Sequence, residues 1–214
     1  MTELKTFLVD KGVTILKNEQ VTDLELSKDK ITGLLTEHGA YKADEFVLAA
    51  GSWSHLLSKK LGIRIALQAG KGYRINSQSS SGITMPAILA EAKVAVTPMN
   101  GFTRYAGTME IAGINHQIRP ERVEAISRAV ELYYPSVRVS KEEQQNASCG
   151  LRPVSPDGRP YIGRSKFCRN LTIATGHAMM GWSMAPGTGL LVSEIINGKQ
   201  SSLDLHPFHP DRSF

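Results

Sequence analysis

This sequence is short of the features that mark membrane spans, metal centres and nucleic-acid readers. No apolar stretch approaches the roughly 20 residues that cross a bilayer. Only two cysteines occur, Cys149 and Cys168, in no paired ligand spacing. That excludes a disulfide framework and a zinc site, and two reduced thiols are expected. His38, His55, His116, His206 and His209 likewise show no metal spacing. No basic run exceeds Lys59-Lys60, so there is no stripe for nucleic acid. The opening Met1-Thr2-Glu3-Leu4-Lys5 lacks the basic-then-apolar order of a signal peptide, and a cytoplasmic location is expected. Internal repeats and low-complexity tracts are missing too. Within the first 60 residues there is no Gly-x-Gly-x-x-Gly, hence no phosphate-cradling strand–turn–helix in that stretch.

What is present suits a folded globular chain. Hydrophobic residues make up 41% of the 214 and charged residues 21%. The net charge of +5 favours small anionic ligands such as carboxylates or phosphates. Leu4, Phe7 and Leu8 predict one face of a helix over 3–10 that stops at Gly12. Val13-Thr14-Ile15-Leu16 then reads as a buried strand of a parallel sheet. Alternation over 21–26 and 31–36 predicts a hairpin, with a third strand near Tyr41. Glu45 to Ala50 reads as a buried strand ending at Gly51, followed by a helix that begins with serine caps at Ser52 and Ser54.

Composition shifts after Ile63. Residues 64–115 are short strand candidates broken by glycine and proline, with Asn100-Gly101 as a turn between 94–97 and 103–105. A helix is predicted from Pro120, burying Val123, Ile126, Ala129, Val130 and Tyr133. Asn170 to Thr175 reads as a strand that runs into a glycine-rich loop at Gly176. A helix then spans about Ala185 to Asn197, closed by Gly198, and the tail after Lys199 is expected to be irregular. The expected class is mixed α/β and α+β. A discontinuous outer domain (1–63 and 146–214) is interrupted by an antiparallel-sheet domain with one helix (64–145).

Three segments could carry chemistry. Gly176 to Gly189 holds four glycines at a helix entrance, where backbone N–H groups and the helix dipole favour negative charge. In Gly150 to Gly163, Arg152 precedes a proline that keeps its backbone extended. Its planar guanidinium suits a bidentate grip on a carboxylate, and a structural ion pair is the other reading. Arg159 and Arg164 are expected to be solvated or paired with Asp157. Ala49-Ala50-Gly51-Ser52-Trp53 ends a strand in small residues, so that something flat can lie across its carboxyl end. For His177, a hydrogen bond to a cofactor and a structural hydrogen bond both fit.

Taken in order, Ala43-Asp44 with 47–54, Gly70-Lys71-Gly72-Tyr73, Gly107-Thr108-Met109-Glu110, 150–163 and 176–189 resemble the D-amino-acid oxidase and dehydrogenase superfamily of flavoproteins. The bacterial D-amino-acid dehydrogenases are the nearest in pattern. The resemblance covers most of the chain and is to the C-terminal half of that family. It implies a partial Rossmann-like FAD-binding domain around an inserted substrate domain. It also implies oxidation of the Cα–N bond of a D- or cyclic amino acid, by hydride transfer to flavin N5, to an imino acid. Arg152, Tyr73 and Met180 would meet the substrate, with Arg152 on its carboxylate. Ala50, Gly51, Trp53, Gly176, His177, Gly181, Trp182 and Ser183 would meet FAD. Met179 and Met180 imply a less polar substrate side chain, such as a proline-like ring. The missing Gly-x-Gly-x-x-Gly means that a preceding segment or a second subunit must complete FAD binding. The alternative is a non-catalytic chain or small subunit that supplies half of a flavin site. Electrons would pass to oxygen or to a quinone chain, the latter implying peripheral association with a respiratory membrane.

Overall fold

A computed structural model describes residues 2–214. The first helix, α1 (Thr2–Asp10), buries none of its residues, and Leu4 and Phe7 stand exposed. Residues 13–16 do not form the expected buried strand: they are irregular and exposed. A strand needs a neighbour to take its backbone hydrogen bonds, and among the described residues none lies beside this segment. The hairpin forms as expected. Strand β1 (Val21–Ser27) pairs antiparallel with β2 (Lys30–Thr36), and β3 (Ala40–Tyr41) adds to the other edge of β2.

Strand β4 (Phe46–Leu48) leads into a 3₁₀ turn over Gly51–Trp53 and then α2 (Ser54–Lys60). The serines do not cap α2, because the 3₁₀ turn runs straight into it and the Ser54 N–H donates to the carbonyl of Gly51. Ser54 instead points inward and donates to Thr175 Oγ1 at 3.0 Å.

Next come β5 (Gln68–Ser77), β6 (Ala87–Leu89), β7 (Val94–Met99), β8 (Phe102–Ile111), α3 (Pro120–Tyr133), α4 (Lys141–Gln145) and β9 (Ser148–Val154). The five strands form one antiparallel sheet in the order β6-β7-β8-β5-β9. Its outer strand therefore lies beyond residue 145. Asn100-Gly101 makes the β7–β8 turn, and Gly101 takes the left-handed φ of +84° that the turn requires. One face of the sheet packs on α3 through Tyr73, Ile75, Val94, Val96, Tyr105, Ile126 and Val130. Tyr133, expected on the buried face of α3, is turned out at the helix end, with its hydroxyl on Glu91.

The chain closes with β10 (Tyr161–Arg164), β11 (Leu171–Thr175) and α5 (Gly181–Ile196). β11 pairs antiparallel with β10 and parallel with β4, and the far edge of β4 is unpaired among the described residues. A second core of Ile31, Phe46, Leu48, Ile63, Tyr161 and Ile173 lies under this sheet. An apolar trough of about 510 Å³ runs along β4, lined by Leu24, Leu34, Tyr41, Phe46 and Leu57 among others. No helix of the described residues is long and apolar enough to cross a membrane.

A one-residue bulge decides which way the end of β8 faces. Tyr73 lies opposite Gly107, but Gly72 lies opposite Met109, so Thr108 is the extra residue and takes φ +49°. Past the bulge, Met109 joins the face away from α3, while Glu110 turns into the core. There the Glu110 carboxylate accepts from Tyr73 Oη at 2.7 Å and pairs with Lys71 Nζ at 2.8 Å. Lys71 also donates to Asn115 Oδ1 and to the Gln117 carbonyl. The Lys71 ammonium and then the Tyr73 hydroxyl hold Glu110 below the ordinary carboxylate range, and Glu110 in turn raises Lys71. Glu110→Gln leaves that ammonium without a counter-charge; a fall of about 10 °C in melting temperature is expected in thermal denaturation.

The tail is pinned although nearly devoid of regular structure. The Arg212 guanidinium forks onto Asp157 with two bonds of 3.0 Å and stacks 3.9 Å from the Tyr161 ring centroid. Arg212, not Arg159 or Arg164, is therefore the partner of Asp157; Arg164 pairs with Glu45. This fork holds the Asp157 carboxyl down at about 2, against an ordinary 3.8. A depressed carboxylate stabilises the fold above its unfolded value, and that contribution disappears as pH falls from 3.8 through about 2. The protection of amides in residues 205–214, taken relative to their intrinsic exchange rate at each pH, should therefore fall across that window and hold steady above about pH 4.

Candidate active site

Parallel pairing of β4 with β11 brings two strand ends together. The turn over Gly51–Trp53 follows β4, and the loop 176–180 follows β11. Thr175 links them, accepting from Ser54 and donating to the Gly51 carbonyl at 3.2 Å. The 3₁₀ turn that begins at Gly51 is thereby tied to Thr175, the residue before Gly176. Trp53 stacks on His116, with ring centroids 6.2 Å apart.

The loop 176–180 is then tied to β9. Ala178 N–H donates to the Pro153 carbonyl at 3.0 Å, and His177 bridges Val154. The glycine-rich segment is less of a loop than expected, because α5 already begins at Gly181. Its first turn forms when Met184 N–H reaches the Met180 carbonyl. No side chain caps α5, so the amides of Gly181, Trp182 and Ser183 have no side-chain partner there. Trp182 and Met180 are exposed. His177 Nε2 lies 2.9 Å from Thr188 Oγ1, and burial lowers the pKa of the ring.

Arg152 projects from β9 onto the face of the sheet away from α3. Its neighbour on β5 is Gly70, and the guanidinium reaches along to Gly72. A Cβ on Gly72 would stand 1.5 Å from Arg152 Nη1, so the guanidinium occupies the space that a side chain would fill. Among the described residues no carboxylate pairs with Arg152, and burial without a counter-charge pushes its pKa below the ordinary arginine value. The structural ion pair is therefore not what the described residues form. Arg152, Gly72 and Gly150 line a cleft of about 290 Å³.

Tyr73 does not join this cleft with its side chain. Successive residues of a strand face opposite ways, so Tyr73 points into the core, 1% exposed, and serves Glu110. Reasoning from the sequence missed Arg74 and Arg104, which share the cleft with Arg152. Their signal is parity with Gly72 and Ala106, and it is visible only once the strand register is known. Gly72→Ala forces the Arg152 guanidinium out of its slot. Binding of small carboxylates, followed by titration, should weaken roughly tenfold while the melting temperature moves little.

Three comparisons bear on this arrangement. The family model described as FAD dependent oxidoreductase (DAO) matches residues 1–195. A D-amino acid dehydrogenase of Granulibacter bethesdensis is 33% identical over 205 residues, covering 94% of this chain and 48% of its own length. One of Vibrio vulnificus is 38% identical with the same coverage, 94% and 48%. The chain thus spans about half the length of the curated relatives it matches. Among solved structures, glycine oxidase from Geobacillus kaustophilus superposes with a TM-score of 0.84 at 23% identity, covering 96% of this chain and 55% of its own. L-Proline dehydrogenase from P. horikoshii does so with a TM-score of 0.84 at 21% identity, covering 98% and 57%. These two establish the fold alone.

Proposed function

The chain belongs to the FAD dependent oxidoreductase family, and from that premise we propose that it is the substrate-gripping half of a flavoenzyme that oxidises the Cα–N bond of a D-amino acid. The observation that carries this reading is the half-buried Arg152 guanidinium, laid over Gly72 with no carboxylate of its own, on the strand that holds the 176–180 loop. The similarity to D-amino acid dehydrogenases supports the choice of substrate class.

The residues present fit a flavin. Uncapped amides at the mouth of α5, an open Gly51 and the exposed Trp182 leave backbone free to meet a flat ring, and the helix dipole favours its negative charge. Bound flavin supplies the two-electron acceptor. Arg152 grips the substrate carboxylate through two parallel N–H bonds and thereby fixes the direction of the Cα–H bond. Positioning then accounts for most of the rate, because an amine that enters neutral requires no strong base. The bond from His177 to Thr188 helps to order the loop. The substrate domain extends from about residue 64 and takes in β9, since β9 completes its sheet. The flavin pyrophosphate is held by polypeptide other than these residues. The unpaired edge of β4 and the apolar trough beside it support that division.

Arg152→Lys replaces a fork with a point charge. In the flavin-loaded protein, KM for a D-amino acid is expected to rise roughly 10- to 100-fold while flavin affinity changes little. Steady-state kinetics beside a flavin titration checks this, and equal losses in both would count against the role.

A further inference from the structure

The same cleft points to the substrate's other end. Arg74 and Arg104 share the 290 Å³ cleft with Arg152. Arg74 lies two residues beyond Gly72 on β5, and Arg104 lies on β8 beside Asn76. Each is anchored by a neutral group. Arg74 Nε donates to Ser148 Oγ at 2.8 Å, and Arg104 Nε donates to Asn76 Oδ1 at 3.0 Å. Arg104 is further held against the Phe102 ring, 5.5 Å from its centroid. Among the described residues neither arginine forms an ion pair with a carboxylate. The acids nearest in sequence are engaged elsewhere: Glu110 on the opposite face with Lys71, and Glu91 with the Tyr133 hydroxyl.

Three guanidinium groups in a small cleft without one acid repel one another, and an anion relieves that repulsion. Arg152 accounts for one carboxylate. With Nε pinned, Arg74 and Arg104 each keep their terminal nitrogens free for another. A cleft of this size holds a small amino acid. We propose that the preferred substrate is an amino acid with a second carboxylate on a short side chain, such as D-aspartate, gripped by Arg152 at its α-carboxylate and by Arg74 or Arg104 at the other. This rests on the reading of Arg152 given above. It also replaces the less polar, proline-like side chain that Met179 and Met180 suggest. Both methionines are exposed and lie outside the residues that line the cleft.

The test is titration of the 214-residue chain with D-aspartate and with D-alanine, following the arginine Nε–H signals by NMR. D-Aspartate is expected to bind roughly tenfold or more tightly than D-alanine, as one extra charge-assisted contact implies. It should also shift Arg74 or Arg104 together with Arg152. In the doubly substituted Arg74→Gln, Arg104→Gln chain the preference should fall to about unity. Both positions lie on the face away from α3, and a circular-dichroism melt identifies any unfolded variant; Arg74→Lys with Arg104→Lys, which keeps the charge, should then retain most of the preference. Equal affinity in the parent chain, or a preference that survives the glutamines, overturns the dicarboxylate assignment and leaves Arg152 standing. If neither amino acid binds, or if Arg152→Gln weakens neither, the reading of Arg152 falls with it.

Discussion

The Pro153 carbonyl joins the two halves of the site. Within an antiparallel strand the peptide groups of successive residues point to alternate sides, so those of Arg152 serve β5 while the Pro153 carbonyl faces away. It accepts the Ala178 N–H, and the loop that precedes α5 is set against the strand that carries Arg152. A proline fits here because its missing donor falls on the outer side of an edge strand, where the ladder with β5 loses nothing. The same ring stiffens the backbone of Arg152. The mouth of α5 and the strand that carries Arg152 are thus fixed relative to each other by a main-chain bond.

The two faces of the five-stranded sheet answer different physical demands. The face against α3 matches its buried charge, with Glu110 bonded to Lys71 and Tyr73 and paired also with Arg119 and Arg122. The opposite face keeps its charges unmatched and half in water, which costs little there and leaves them able to take a ligand. Glycine separates the two roles on β5. At Gly72 the absent side chain is what gives Arg152 a place to lie.

Much of this was legible in the residues themselves. The hairpin over 21–36, the Asn100-Gly101 turn and the apolar spacing of α3 depend on local chemistry, and they form where local chemistry predicts. Arg152 was legible through the proline beside it and the resemblance around it. What failed depended on distant partners. Residues 13–16 have the composition of a buried strand, but composition does not supply a neighbour. The resemblance puts Tyr73 at the substrate, yet its side chain points into the core, on the face opposite Gly72. Ser52 and Ser54 looked like caps until the 3₁₀ turn took over the hydrogen bonding. Arg74 and Arg104 were invisible because only the pairing of β5 with β8 and β9 places them beside Arg152.

Thr108 makes the molecule unequally tolerant of change. Replacing any single residue near it alters one side chain. Deleting Thr108 would only remove the bulge, leaving Met109 opposite Gly72 and Glu110 opposite Lys71, whereas inserting one residue after it would turn Met109 inward and Glu110 out, with Lys71 left alone in an apolar layer. Along this stretch of β8 the strand can lose one residue far more readily than it can gain one, and homologous chains should be shorter there before they are longer.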